Sequence, residues 1–197
     1  MSIAIKTQIN LYIERGVIVS RFVTWVASHD KRIFSLINQQ LRCKVLDIVL
    51  PKITHLGGAL ITITSLLVII AFTKGEIRLW SIEAILSLSL SHVVVHIIKK
   101  IYRRIRPYNK LEFVNLSSNP LRDYSFPSGH TTAGFAIAVV FSLHSTVLAM
   151  LLLPLAALVA ISRIYLGLHY PTDCIIGALL GTVSSMVIVS ISMYFFQ

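Results

Sequence analysis

The sequence predicts an all-α integral membrane protein with about five membrane-spanning helices and two N-terminal amphipathic helices. Of its 197 residues, 55% are apolar and only 13% are charged, and the mean hydropathy is +0.79. Soluble domains typically have about 45–50% apolar and about 25% charged residues. Long apolar runs with so few charges argue against a disordered basic tail, a soluble nucleic-acid-binding domain and a disulfide scaffold.

Five apolar runs are expected to span the membrane, since a spanning helix needs roughly 20 mostly apolar residues. In the second run only Glu83 is acidic, and we expect it to reach the interface because it lies near the start. The run 124–162 carries no formal charge but is too long for one span, so we place a turn at its most polar point, His144-Ser145-Thr146. The predicted spans are about 54–73, 79–98, 129–143, 147–163 and 174–196.

The N-terminal segment 1–52 differs from the predicted membrane-embedded domain, 53–197. Amphipathic helices are expected over 9–25 and 33–50, each with an apolar side and several charged residues, and Pro51 is expected to end the second. Such helices lie in the membrane interface or pack on the bundle as cover. The sequence supports both arrangements equally.

Polar residues that a bilayer disfavours are concentrated in three clusters at helix ends. One cluster, 99–107, ends the second span, another, 126–130, opens the third, and the last, 162–173, connects the fourth and fifth. Because successive spanning helices alternate in direction, these three clusters are expected to meet at one membrane surface.

The chemistry of the clusters suits a phosphate group. Lys99, Arg106 and Arg163 supply three cations, and arginine can grip a tetrahedral oxyanion through two parallel hydrogen bonds. Ser128 and Gly129 lie at the start of a helix, where backbone N–H groups without intrahelical partners favour anions. We therefore predict that these five residues bind phosphate.

Two histidines could supply the chemistry. His169 and Asp173 are four residues apart, a spacing that would put both on one helix face if the segment is helical. A neighbouring carboxylate fixes the tautomer of an imidazole and stabilises its cation. His130 lies beside the predicted anion-binding turn. One histidine could attack phosphorus while the other donates a proton to the leaving oxygen.

The three clusters together resemble the signature motifs of the type-2 phosphatidic acid phosphatase superfamily. That group includes lipid phosphatases, undecaprenyl-diphosphate phosphatases, glucose-6-phosphatase and vanadium haloperoxidases. The matching stretches are Lys99-x6-Arg106-Pro107, Pro127-Ser128-Gly129-His130 and Ser162-Arg163-x5-His169-x3-Asp173.

The resemblance implies a role for each matching side chain. His169 would be the nucleophile that forms a phosphohistidine intermediate, with Asp173 orienting it. His130 would protonate the leaving group and then help to activate the hydrolytic water. No metal and no other cofactor is implied. The residues implied to hold the phosphoryl oxygens are Lys99, Arg106, Ser128, Gly129 and Arg163.

The expected function is that of a metal-independent membrane phosphatase whose partners are a lipid phosphate substrate and membrane lipids, without nucleic acid. Phosphatidic acid, phosphatidylglycerophosphate and undecaprenyl diphosphate are all compatible substrates, and the sequence leaves the oligomeric state open. Two other functions stay open: a non-catalytic binder or transporter of lipid phosphates, and a phosphatase of soluble phosphate esters.

The distribution of charge bears on how the protein sits in its membrane, which we expect to be a bacterial cell membrane. With the five predicted spans, 16 of the 18 Lys and Arg residues lie on the face with the motifs, and only Lys74 and Arg78 lie opposite. The positive-inside rule then places the predicted site toward the cytoplasm. Bacterial members of the resembled superfamily mostly face outward, so the two arguments give opposite sides.

Overall fold

The computed structural model of the protein describes residues 21, 23–117 and 119–196. All regular secondary structure in these residues is helical. Helix α1 covers 23–35 and continues into a π-helical turn, Leu36–Gln40. The six later helices are α2 Lys44–Ile53, α3 Ala59–Phe72, α4 Glu76–Tyr102, α5 Gly129–His144, α6 Thr146–Tyr165 and α7 Pro171–Phe196. Most of the predicted helix 9–25 lies outside the described residues.

The prediction of one helix over 33–50 is wrong. Its residues are divided among the end of α1, the π-helical turn and α2, with a break at 41–43. Pro51 lies within the last turn of α2, where its missing N–H removes a single hydrogen bond, and the helix continues to Ile53 before tightening into a 3₁₀ turn. The division of the chain at residue 52 stays a prediction.

The N-terminal segment is packed against the bundle over part of its length. Asp30, Phe34 and Asn38 are almost completely buried, whereas Val45 and Ile48 on α2 are more than half exposed. The Asn38 side chain donates to the backbone oxygen of Tyr165 at 2.8 Å. This segment therefore contributes buried side chains to the bundle and leaves apolar side chains on α2 outside.

Helices α3 to α7 form at the five predicted positions, but the expectation of five complete spans is corrected. By length and composition α4, α6 and α7 can each cross a membrane, and α2 with α3 forms a fourth candidate that is bent by 57°. Helix α5 has 16 residues, which is about 24 Å at 1.5 Å per residue and less than the ~30 Å hydrocarbon core. It can be short because it packs against α4, α6 and α7, so protein covers most of its surface.

The turn between α5 and α6 is confirmed, since α5 ends at His144, α6 begins at Thr146 and Ser145 caps α6. Glu83 pairs with the last residue of α5, beside this turn. It is buried, and its Oε2 lies 2.5 Å from His144 Nε2, while the His144 ring stacks on Trp80. Buried carboxylates need such a partner, and this pair joins α4 to α5 at the end away from the predicted site.

Close approach of α7 to α5 aligns the first turns of the two helices. A Cβ atom added at Gly177 would lie 2.7 Å from the Ser128 backbone oxygen, and one added at Gly181 would lie 2.5 Å from the Thr132 backbone oxygen. The two glycines therefore permit backbone contact, as small residues do where membrane helices pack closely. At the end of this contact Ser128 N–H donates to the backbone oxygen of Asp173 at 3.0 Å.

We predict that Gly181→Ala lowers the free energy of unfolding by about 1–3 kcal/mol, because the new methyl group overlaps backbone atoms that cannot move aside. Thermal unfolding in detergent measures the loss. The matched control is Gly134→Ala in α5, where a Cβ atom would make an ordinary 3.6 Å contact with Ala156 Cβ. Equal melting temperatures for the two variants would contradict the proposed backbone contact.

Candidate active site

The three motif clusters meet around a cavity of about 240 Å³ at one end of the bundle. Ser128 and Asp173, which are fully buried, adjoin the cavity without lining it. A larger cavity of about 710 Å³ shares His130 and Arg163 with it and extends past the polar side chains of Thr54 and His55. The predicted site residues that line the smaller cavity are Lys99, Arg106, Gly129, His130, Arg163 and His169.

His169 is presented by a tight turn between α6 and α7. Gly167 has a φ of +78°, a conformation that glycine adopts without strain, and a Cβ atom there would lie 2.7 Å from Val114 Cγ1. The segment from His169 to Asp173 is not one helix, which was the condition for both side chains to share a helix face, because α7 begins at Pro171, a residue that suits the first helical position. The turn, not a helix, brings the two side chains together.

The His169 ring is oriented mainly by a backbone group that sequence reasoning missed. Its Nδ1 lies 2.8 Å from the Ser125 backbone oxygen, whereas Asp173 Oδ2 lies 3.6 Å away. A carbonyl oxygen only accepts, so Nδ1 carries the proton and Nε2 keeps its lone pair. The Ser125 hydroxyl donates to Asp173 Oδ2, and Ser125 thus contacts both members of the pair.

The surroundings of His169 favour its neutral form. Burial is the largest effect on the pKa of His169, which is lowered to about 4; the neighbouring Asp173 carboxylate raises this pKa, and the positive charges of Arg163 and Arg106 lower it. At neutral pH the imidazole therefore has an unprotonated Nε2, which a nucleophile requires.

Arg106 is buried and fully hydrogen-bonded. Its Nη1 donates to Leu168 O at 2.8 Å and lies 3.2 Å from His169 Nε2, and its Nε donates to Asp123 O at 2.8 Å. Its Nη2 donates to Asp123 Oδ1 at 2.6 Å and to Tyr124 O at 3.2 Å. This side chain therefore joins the loop before α5 to the turn of His169 and directly faces the nitrogen with the lone pair.

Asp123 is the second residue that sequence reasoning missed. Its carboxylate accepts from both Lys99 and Arg106. Burial raises the pKa of Asp123, but hydrogen bonds and charge from these two cations outweigh burial and lower it to about 2. The available signal was an acidic residue three positions before Phe126, in a strongly basic loop. A phosphate group that uses the same N–H groups has to displace this carboxylate.

Arg163 is a buried cation whose hydrogen-bond donors are only partly paired within the described residues. The side chain is only 3% exposed, and its Nη1 donates to Thr54 Oγ1 at 2.9 Å. Its buried Nε has no hydrogen-bond partner within the described part of the chain, which is costly for a charged donor unless a ligand pairs with it. A Cβ atom at Gly129 would meet nothing within 4 Å, so the start of α5 is also open toward the cavity.

The arrangement can hold a tetrahedral oxyanion against an unprotonated histidine nitrogen, with a second histidine in the same cavity. Within 23–117 and 119–196, no group of three or more His, Cys, Asp or Glu side chains could hold a metal ion.

Comparison with known proteins agrees with this geometry, because the family model described as the PAP2 superfamily matches residues 80–197. The chain belongs to the PAP2 superfamily. The PAP2 match contains all three motif clusters. The crystal structure of LpxE from Aquifex aeolicus is also similar, with 32% sequence identity and a TM-score of 0.74 over 81% of this chain and 93% of that one.

Two curated relatives are similar to this chain over smaller parts of its length than LpxE is. A protein named bacitracin transport permease protein BcrC, from Bacillus licheniformis, is 36% identical over 55% of this chain and 54% of its own length. An undecaprenyl-diphosphatase from Sulfolobus acidocaldarius is 34% identical over 66% of this chain and 62% of its own length. The chain thus spans between about half and two thirds of these curated relatives.

We predict that Asp123→Asn strengthens binding of orthovanadate, a phosphate analogue, by about three- to tenfold, because the competing negative charge is removed while the cations stay. Isothermal titration calorimetry of the protein in detergent measures the dissociation constant. The matched control is Glu112→Asn, in the same loop and without a contact to Lys99 or Arg106. Weaker binding by the Asp123 variant would show that its carboxylate supports the anion site and does not compete for it.

Proposed function

We propose that the protein is an integral membrane phosphatase that hydrolyses a lipid phosphate or lipid diphosphate through a phosphohistidine intermediate. The observation that carries the proposal is the position of His169 Nε2, unprotonated and facing a cavity whose guanidinium groups suit a phosphoryl group. A binding protein needs the cations but has no need of an oriented nucleophile beside them. Membership of the PAP2 superfamily supports the same conclusion.

Binding would begin when the phosphoryl group displaces Asp123 from Lys99 and Arg106. Its oxygens would then accept hydrogen bonds from these two side chains, from the unpaired Nε of Arg163 and from the backbone N–H of Gly129 at the start of α5. The Ser128 N–H is already bonded to the Asp173 backbone oxygen, so Ser128 would contribute through its hydroxyl group. These donors surround the position where charge develops in the transition state, so they stabilise the transition state more than the bound substrate.

In the first chemical step His169 Nε2 would attack phosphorus. A nitrogen–phosphorus bond forms, the bond to the lipid oxygen breaks, and His130, protonated when the negatively charged phosphoryl group is bound, donates its extra proton to that oxygen. The positive charge on the His169 ring would be stabilised by Asp173, which lies 3.6 Å from Nδ1. Arg106 Nη1 lies 3.2 Å from Nε2, so it must shift toward the phosphoryl oxygens as the substrate binds.

In the second step water would attack the phosphohistidine. His130, now neutral, accepts a proton from the water, the nitrogen–phosphorus bond breaks, and inorganic phosphate leaves with His169 restored. Neither step requires a metal ion, since the N–H donors of the site balance the charge of the phosphoryl oxygens.

A lipid substrate is favoured by an apolar cavity of about 320 Å³ between α3 and α4. It is lined by side chains such as Ile63, Ile85 and Leu88, and it shares Ala59 and His92 with the catalytic cavity. A hydrocarbon chain in this cavity would leave its phosphate at the motif residues, whereas a soluble ester would leave the cavity unused. The curated relative named undecaprenyl-diphosphatase favours a polyprenyl diphosphate among the candidate lipids.

A second function, transport or binding of a lipid phosphate without hydrolysis, is favoured only by the relative named as a transport permease. Phosphate release by the purified protein separates the two functions. A protein that binds these lipids and never releases phosphate would be a binder or transporter.

We predict that the protein releases inorganic phosphate from undecaprenyl diphosphate, phosphatidylglycerophosphate or phosphatidic acid in the presence of EDTA. His169→Ala should reduce kcat at least about a thousandfold, since it removes the nucleophile. The matched control is His29→Ala, an exposed histidine on α1, which should keep wild-type turnover. Wild-type turnover by the His169 variant, or strict dependence on an added metal, would contradict the mechanism.

We further propose that the membrane is a bacterial cell membrane, and we predict that the site faces the cytoplasm, because the arrangement predicted from the sequence puts 16 of the 18 Lys and Arg residues on its side. Cys43 is exposed and precedes α2, whose Asp47 contacts Tyr165 beside the site, whereas Cys174 is buried. A membrane-impermeant maleimide should therefore label Cys43 only after cells are permeabilised, with Cys43→Ser as the control. Labelling of intact cells would place the site outside.

A further inference from the structure

Arg104 joins two buried carboxylates that come from distant parts of the chain. Its Nη1 donates to Asp173 Oδ1 at 2.6 Å, and its Nη2 donates to Asp30 Oδ2 at 2.5 Å. Asp173 is fully buried and Asp30 is 2% exposed. Two buried carboxylates beside each other are unfavourable unless a cation lies between them, and one planar guanidinium can bond to both. Arg104 is outside the recognised motif residues, and Asp30 belongs to α1.

Asp30 also caps α7, the helix that carries Asp173. Its Oδ1 accepts from the Thr172 backbone N–H at 2.9 Å, and its Oδ2 accepts from the Thr172 hydroxyl at 2.7 Å. Because α7 begins at Pro171, the Thr172 N–H is one of the groups that has no partner inside the helix. A carboxylate at this end is further stabilised by the helix dipole. The capping carboxylate thus comes from α1 and not from the residue before α7.

Tyr170, the residue between His169 and α7, is held by a cation–π contact and an aromatic contact. The Arg104 guanidinium lies 4.1 Å from the centre of the Tyr170 ring, and Phe34 of α1 packs against the same ring at 5.7 Å. The Tyr170 N–H donates to Asp173 Oδ2 at 2.8 Å. With Oδ1 bonded to Arg104, the Asp173 carboxylate has one orientation, in which Oδ2 faces Ser125 and His169.

We infer that Asp30 and Arg104 are a positioning pair that holds Asp173, and through it His169, in the geometry needed for phosphoryl transfer. The inference rests on the proposed function and extends the catalytic centre to α1. Neither residue lines the catalytic cavity, so the pair acts on the nucleophile and not on the bound phosphate. Loss of either side chain should therefore reduce the rate of the chemical step and leave substrate binding nearly unchanged.

The test uses the full-length protein in detergent, with Arg104→Gln, Arg104→Lys and Asp30→Asn. Turnover is expressed per orthovanadate-binding site from calorimetry, so that only folded sites are counted. We expect Arg104→Gln to lower kcat about 10- to 100-fold, with KM and the orthovanadate dissociation constant within about threefold of wild type. Arg104→Lys, which keeps the charge and can bond to one carboxylate, should recover part of that loss.

The matched control is Arg103→Gln. Arg103 is exposed, and its Nε donates to the Lys100 backbone oxygen on its own helix, so turnover should stay at the wild-type value. The double variant Asp30→Asn with Arg104→Gln should have a kcat within about threefold of the kcat of Arg104→Gln alone, because both changes break the same hydrogen-bond network.

Wild-type kcat per site in both Arg104→Gln and Asp30→Asn would overturn the positioning role. A rise in KM with unchanged kcat, or loss of orthovanadate binding by all three single variants, would also overturn it, because the pair would then act on binding or on folding. A wild-type protein that releases no phosphate from any of the three lipids would overturn the proposed function as well. Phosphate release by the wild-type protein therefore distinguishes failure of the positioning role from failure of the proposed function.

Discussion

Two guanidinium groups, those of Arg106 and Arg163, are buried at one end of a membrane helix bundle, and the rest of the site depends on how their charge is balanced. Burial of an unpaired cation is strongly unfavourable. Arg106 is balanced by Asp123 and by three backbone oxygens, whereas the buried Nε of Arg163 has no partner in the part of the chain that the structure describes. The site therefore has more positive charge than its own carboxylates can pair, which is the physical basis of its affinity for an anion.

The carboxylates of the site differ in what a ligand can do to them. Asp123 is 54% exposed and lies on a loop, so an entering phosphate can replace it on Lys99 and Arg106. Asp173 is fully buried and bonded to Arg104, Ser125 and the Tyr170 N–H, so it stays beside His169. One anion is thus exchangeable and the other is fixed. The Asp123 carboxylate pairs with the cations of the site, and the Asp173 carboxylate orients the nucleophile.

The sequence alone predicts the helices and the three clusters because both depend on local signals. Apolar runs give the helix positions, and alternating helix direction brings the clusters to one end. The missed contacts join residues far apart in the chain: Asp30 with Thr172, Asp123 with Lys99, and Ser125 with His169. Tertiary packing of helices and loops, such as the docking of α1 that brings Asp30 to Thr172, creates these contacts, and periodicity carries no information about such pairs. The turn at Gly167 likewise replaces the helix that the spacing of His169 and Asp173 suggested.

The central claim is that His169 becomes covalently phosphorylated. Rapid mixing with a lipid diphosphate, an alkaline quench and mass spectrometry of the peptides measure this directly, because a phosphoryl group on histidine survives base and is lost in acid. The account predicts one acid-labile phosphoryl group on His169 that forms and decays within a single turnover. A phosphoryl group on another residue, or turnover with no phosphorylated protein at any time, would contradict it.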